Sequence, residues 1–225
     1  RNSLVDHVGT DIDPEFFSYL DEAVREDVIE DLDTEQLANV VQELDTDDAV
    51  DLIEDLDEED QAELLQAVSA EDRALFEDAL RYPEDSAARL MNREFATVPS
   101  YWSVGQTIDY MRSDADLPTT FYDIYVIGPS YRPIGSVPVS RLLRTERPEP
   151  MSEIMDTDLK LIPAALDQEN VAFLFRQYGL ASAPVVDEPG RLIGVITVDD
   201  VVSVMEEEHA EDMLSLGGVR EDDFY

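Results

Sequence analysis

Apolar positions in the first 80 residues recur every 12, at Leu20, Leu32, Leu44, Leu56, Val68 and Leu80. The next residue is Asp21, Asp33, Asp45, Asp57 or Ser69, each a side chain that can accept from the exposed backbone amides of a helix start. A polar partner stands three residues further on in Asp33 to Gln36, Asp45 to Asp48 and Ser69 to Asp72, the spacing of a capping box. Apolar pairs then close each unit, at Val40-Val41, Leu52-Ile53, Leu64-Leu65 and Leu75-Phe76. This pattern predicts one short helix per repeat. Helices of about two turns do not hold in isolation, so neighbouring units must stack and share a core. The expected architecture is a right- or left-handed solenoid of short helices over residues 1–85.

Tyr82-Pro83-Glu84-Asp85 interrupts the period, because proline ends the helix carrying Leu80. A longer duplication follows. Met91, Val98-Pro99 and Met111-Arg112 align at an offset of 64 with Met155, Ile162-Pro163 and Phe175-Arg176. Tyr125-Val126-Ile127 and Ile134-Gly135-Ser136-Val137 align at an offset of 59 with Pro184-Val185-Val186 and Ile193-Gly194-Val195-Ile196. The first copy therefore carries about five extra residues, expected between Ser113 and Thr120. Each copy reads as a short extended segment, an amphipathic helix, a strand, a turn, a second strand and a closing helix. Glu188-Pro189-Gly190 is the clearest turn. The fold class is thus α followed by α/β, with copies at 86–150 and 151–212 and a connector at 213–225.

Charge changes the picture. The chain holds 54 acidic and 15 basic residues, a formal net charge of −39, with Lys160 as the single lysine. Residues 1–90 contain 30 acids and 5 arginines, so the excess is densest in the helical repeat. Such a surface repels nucleic acid and anionic lipid, which argues against both as partners. The absence of cysteine excludes disulfides and thiolate metal sites and fits a reducing compartment. No apolar run reaches the roughly 18 residues that would cross a bilayer. The acids have two readings: adaptation to high salt, or ligation of divalent cations that relieve the repulsion between neighbouring carboxylates.

The tandem β-α-β-β-α unit, with Gly179, Ala183-Pro184-Val185-Val186-Asp187 and Leu192-Ile193-Gly194-Val195-Ile196-Thr197-Val198-Asp199-Asp200-Val201, resembles the CBS module, and its first copy is degenerate. The acidic helical repeat, the junction Tyr82 to Met91 and the ending Glu206-Glu207-Glu208-His209-Ala210-Glu211-Asp212-Met213-Leu214 together resemble the cytosolic half of an MgtE-family magnesium transporter. That resemblance covers nearly the whole chain. It implies a magnesium-sensing region on the cytoplasmic side of the cell membrane, a homodimer through the CBS modules, and a membrane domain beyond Phe224-Tyr225. It also implies that Mg2+ bridges the helical domain to the CBS pair and favours a closed pore, and that depletion lets the acidic surfaces part.

Seven acids and no basic residue lie between Asp199 and Asp212. On a helix, Glu207 with Glu211 and Glu208 with Asp212 stack four apart, an arrangement that needs counterions. The resemblance points to Asp200, Glu208, Glu211 and Asp212 as ligands, while Ser203 stands where some relatives carry an acid. Partner carboxylates on the solenoid are Asp45, Asp48, Asp51 or Asp55, one choice among the many equivalents the period supplies. Magnesium suits such sites because it keeps several waters and takes one or two carboxylates. The near match to a calcium loop, Asp11-Ile12-Asp13-Pro14-Glu15, fails at Phe16, where a tight turn needs glycine.

The runner-up is an adenine-nucleotide sensor. CBS pairs bind such nucleotides between copies, with Thr or Ser followed three residues later by Asp holding the ribose. Thr197 and Asp200 fit; the matching positions in the first copy are Pro138 and Arg141. The same two residues also read as a strand end and a helix cap. A third reading is a protein-interaction scaffold built on the solenoid. Catalysis is not expected: there is no thiol, no nucleophile elbow, no glycine-rich phosphate loop, and only His7 and His209 among histidines.

Overall fold

The computed structural model describes residues 14–20, 22–29, 32–113, 117–118 and 120–205. The chain forms two units, 1–84 and 85–225.

Among the described residues, the first unit has a 3-10 helix, Pro14–Tyr19, followed by α1 (Glu22–Ile29), α2 (Thr34–Glu43), α3 (Thr46–Glu54), α4 (Glu58–Ala67) and α5 (Ala70–Ala79). Helices α2 to α5 start at residues 34, 46, 58 and 70, so the 12-residue hydrophobic period is the period of the fold. Asp33, Asp57 and Ser69 cap their helices through side-chain oxygens, and Asp33 with Gln36 forms the reciprocal box. Asp45 departs from the expectation: it occupies the N-cap of α3 with no side-chain capping bond. The core includes residues of the apolar pairs, with Val41, Leu52, Ile53, Leu64 and Phe76 buried beside Leu37, Val50 and Val68, while Leu20, Leu32, Leu44, Leu56 and Leu80 pack against them from the units' starts. Each leucine-plus-pair repeat therefore contributes two layers to one continuous core, which is why helices of eight to ten residues persist.

In the second unit the first copy runs β1 (Thr97–Pro99), α6 (Val104–Ser113), β2 (Asp123–Ile127), β3 (Pro133–Pro138) and α7 (Val139–Leu142). After a short α8 (Met151–Ile154), the second copy repeats this as β4 (Ile162–Pro163), α9 (Gln168–Tyr178), β5 (Ser182–Val186) and β6 (Leu192–Thr197), with a helix at 198–205. Each three-stranded sheet has its strands in chain order, the first pair parallel and the second antiparallel.

The two copies are tied by reciprocal exchange. Asn92, just before β1, exchanges both backbone hydrogen bonds with Val195 of β6, at 2.9 Å each. Asp156, its counterpart before β4, does the same with Ser136 of β3, at 2.8 and 2.9 Å. A second bridge joins Ser86 to Asp167, and its counterpart joins Pro150 to Ser103. Each copy thus completes the other's sheet with its own leading segment. Beside each leader a methionine lies against a bare backbone: Met91 on Gly194 and Met155 on Gly135, where a Cβ would stand 2.5 and 2.6 Å from the respective sulfur. Only glycine lets the chains approach so closely.

Candidate functional site

In the helical unit the candidate carboxylates are placed by α3. Asp48, Asp51 and Asp55 follow one another at spacings of three and four, so they form a stripe along one face, headed by Asp45 at the N-cap. Asp45 and Asp51 are exposed and Asp48 is half-buried. Their electrostatic positions differ. Asp48 sits in the first turn with Asp47, where the helix dipole favours negative charge, whereas Asp51 and Asp55 lie toward the end that disfavours it. No basic residue stands in the last turn of α3 to offset them. Arg25 of α1 does so for Asp55, donating from Nε to Oδ2 at 2.5 Å with the aspartate side chain 9% exposed. The geometry commits Asp55 to this internal pair. A concavity of about 550 Å3 lies elsewhere in the unit, between α2 and α4 beside Asn39, Gln42 and Gln66.

In the second unit Asp200 lies at the start of the helix at 198–205, where its Oδ2 accepts from the Thr197 amide at 3.2 Å and from the Thr197 hydroxyl at 2.7 Å. Asp199 Oδ1 lies at the same hydroxyl, whose single proton the two carboxylates share. This is the strand-end and helix-cap arrangement, and it brings the expected pair together at one corner of β6. At the matching corner of β3, Arg141 donates from Nη1 to the carbonyl of Ile154 at 3.0 Å, binding the leader of the second copy. The two corners are therefore chemically unlike, one a carboxylate and one a guanidinium.

Between the copies lies a cleft lined by Asn92, Glu94 to Ala96, Thr120 to Asp123, Tyr125, Ser182, Val195 and Thr197. It is closed down to about 20 Å3, the room of about one water. A polar chain crosses it. Ser182 of β5 donates to Asp123 Oδ2 at 2.8 Å, and since its single proton is so used, the Tyr125 hydroxyl, 2.8 Å away, donates to Ser182. Residue-by-residue reading of the sequence did not single out these three. The signal was present: at offset 59 Asp123 falls on Ser182 and Tyr125 on Pro184, two polar departures from the duplication at alternate positions of one strand.

Burial pushes the Asp123 carboxyl above the usual carboxylate range, opposed by the Ser182 hydrogen bond and the charge of Arg141. Burial likewise raises the Tyr125 phenol, against the Ser182 bond and with help from the negative charge of Asp123. An acid whose folded pKa lies above its unfolded value, about 4, stabilises the fold at low pH and loses that contribution as pH rises through the folded value. Asp123→Asn has no such loss. Its melting temperature is expected to gain on that of the wild type as pH increases from about 4, measured by calorimetry at matched ionic strength; a constant difference across that range contradicts the assignment.

Glu207, Glu208, Glu211 and Asp212 lie outside the described residues. Among the described residues no group of three or more His, Asp or Glu is placed to hold a metal ion, and no helix is long and apolar enough to cross a membrane.

Comparison with known proteins accords with this architecture. Residues 1–85 match the model of the MgtE intracellular N domain, and residues 151–207 match the CBS domain. The magnesium transporter MgtE of Thermus thermophilus is 37% identical over 143 residues, 64% of this chain and 32% of that protein. That of Bacillus subtilis is 32% identical over 133 residues, 59% of this chain and 30% of the other. The chain spans about a third of the length of these relatives. Among solved structures, the cytosolic domain of the Mg2+ channel MgtE in complex with ATP superposes with a TM-score of 0.79 at 31% identity, covering 85% of this chain and 78% of that one. The soluble part of a magnesium transporter has the same fold, with a TM-score of 0.77 at 24% identity over 87% of this chain and 86% of that one. With the helical repeat, the paired α/β copies and these likenesses in the same order along the chain, the protein belongs to the MgtE family, of which it carries the intracellular N domain and a CBS pair.

Proposed function

We propose that this chain is the magnesium-sensing regulatory region of a magnesium transporter or channel, in which Mg2+ bridges acidic surfaces of the helical domain and the CBS pair and so favours the closed pore. The observation that carries this reading is the carboxylate stripe of α3 within a family whose relatives are magnesium transporters. Asp51 lies toward the unfavourable end of its helix dipole, in a domain far richer in acids than in bases, so a dication at this face removes a standing repulsion. Magnesium is the fitting ion because it accepts a small number of carboxylates and retains water, so that two approaching surfaces can share it. Asp200, Glu207, Glu208, Glu211 and Asp212 supply the second surface. The region acts on the membrane domain of its own parent protein, without nucleic acid or direct lipid contact. It works as a homodimer through the CBS modules, to which Phe173 and Val202, 51% and 46% exposed, offer an apolar contact.

Calorimetric titration with MgCl2 at fixed ionic strength tests the assignment. Asp48→Asn with Asp51→Asn is expected to weaken binding about five- to thirtyfold, as is Glu208→Gln with Glu211→Gln, from the loss of one or two carboxylate contacts of about 1 kcal/mol each. Unchanged affinity in both pairs contradicts it.

A second reading, an adenine-nucleotide sensor, is favoured by one observation: Thr197 lines the cleft between the copies, and the similar MgtE cytosolic domain was solved with ATP. Titration with ATP and AMP, each with and without Mg2+, separates the two readings. Nucleotide heat that does not require magnesium, together with no heat from magnesium alone, supports the second.

A further inference from the structure

The cleft between the copies has a feature that neither reading uses. Its walls come from both copies: the leader of the first (Asn92, Phe95), the start of β2 (Asp123, Tyr125), the start of β5 (Ser182) and the end of β6 (Thr197). In most of the second unit what one copy does the other repeats, as the paired bridges demonstrate. Here the repetition fails. Asp123 and Ser182 are counterparts of each other, and they meet face to face across the boundary. Tyr125, whose counterpart is Pro184, adds a phenol that reaches the same serine and is itself 2% exposed.

The chain Tyr125 to Ser182 to Asp123 is directional. Every proton has an acceptor and the sequence ends on a carboxylate, the stronger kind of acceptor. The phenol ring packs with Leu192, Val195 and Phe95, so it occupies space in the cleft while its hydroxyl is fastened to the far wall. Among the other polar groups of the lining, the Thr197 hydroxyl is engaged by Asp199 and Asp200. What is left admits about one water, far less than a nucleoside needs.

We propose that Tyr125, Ser182 and Asp123 form a latch that holds the cleft between the two copies shut, and that a ligand entering the cleft must break it. For the identity of that ligand the inference rests on the adenine-nucleotide reading; for the closure it does not. A latched cleft binds ligand more weakly than an open one by the fraction of molecules that are open. Releasing one hydrogen bond of ordinary net strength changes that fraction, and with it the affinity, about fivefold.

The test uses the full chain in three variants, Ser182→Ala, Tyr125→Phe and the double substitution. Backbone hydrogen exchange reports the closure. The latch predicts exchange about fivefold faster or more at residues 123–125, 182–183 and 92–96, no change in α6 and α9, and a double variant no faster than the quicker single. Acceleration spread evenly over the unit, or none, overturns it, because the bonds would then be ordinary contributors to stability. Titration with ATP is the second arm. Affinity about fivefold higher in the variants supports the latch; affinity equal to or below that of the wild type, with local exchange accelerated, overturns its role as a barrier to ligand. If no form binds ATP while exchange is locally faster, the latch stands and the nucleotide reading falls.

Discussion

Ile53→Ala is expected to destabilise the helical unit by about 2–5 kcal/mol while leaving the second unit's unfolding unchanged. Ile53 is fully buried, and it belongs to the apolar pair that ties α3 to its neighbours. Deleting three carbons there removes transfer energy and leaves a cavity that helices of eight to ten residues have little freedom to collapse. The consequence exceeds one helix, because each repeat holds only through its neighbours. Calorimetry should resolve two transitions in the wild type, with only the one assigned to the helical unit displaced in the variant. A displacement of both by the same amount would mean that the two units unfold as one.

Gly194→Ala is expected to lower the melting temperature of the second unit by about 4–10 °C, corresponding to about 1–3 kcal/mol. A Cβ at Gly194 would stand 2.5, 2.6 and 2.9 Å from Sδ, Cγ and Cβ of Met91. The Sδ and Cγ atoms can swing away; the Cβ is fixed to the leader backbone, so relief requires shifting the segment that exchanges hydrogen bonds with Val195. Gly135→Ala should behave alike, since its Cβ would meet Met155 at 2.6, 2.8 and 2.9 Å. Met91→Ala in the Gly194→Ala background should recover part of the loss, a coupling that neither change shows alone. Additive effects would place the strain elsewhere.

The helical unit was legible because its information is local. A leucine, a capping residue and an apolar pair fall inside one 12-residue window, and helix starts at 34, 46, 58 and 70 follow from them. The duplication likewise announced two copies of one unit. It did not announce the exchange between them: Met91 and Met155 are visible as counterparts, but alignment is silent on the fact that each packs against the other copy's glycine. The same limit governs the site. The stripe at Asp48, Asp51 and Asp55 is a matter of spacing, whereas the pairing of Asp55 with Arg25 joins residues 30 apart in a chain with many equivalent aspartates. Tyr125 and Ser182 are 57 apart, and only the folded boundary between copies brings them together. Thr197 and Asp200, three residues apart, were found as a pair, yet sequence could not separate a ribose ligand from a cap.

That an acid-rich helical domain and a CBS pair are held together by Mg2+ is tested most directly by small-angle scattering of the full chain at constant ionic strength, with KCl replaced stepwise by MgCl2. Bridging by Mg2+ gives a radius of gyration that falls over millimolar magnesium and recovers on adding chelator, beyond any change from KCl alone. A radius that depends on ionic strength and is indifferent to which salt supplies it would rule out bridging and leave the acids as an adaptation to salt.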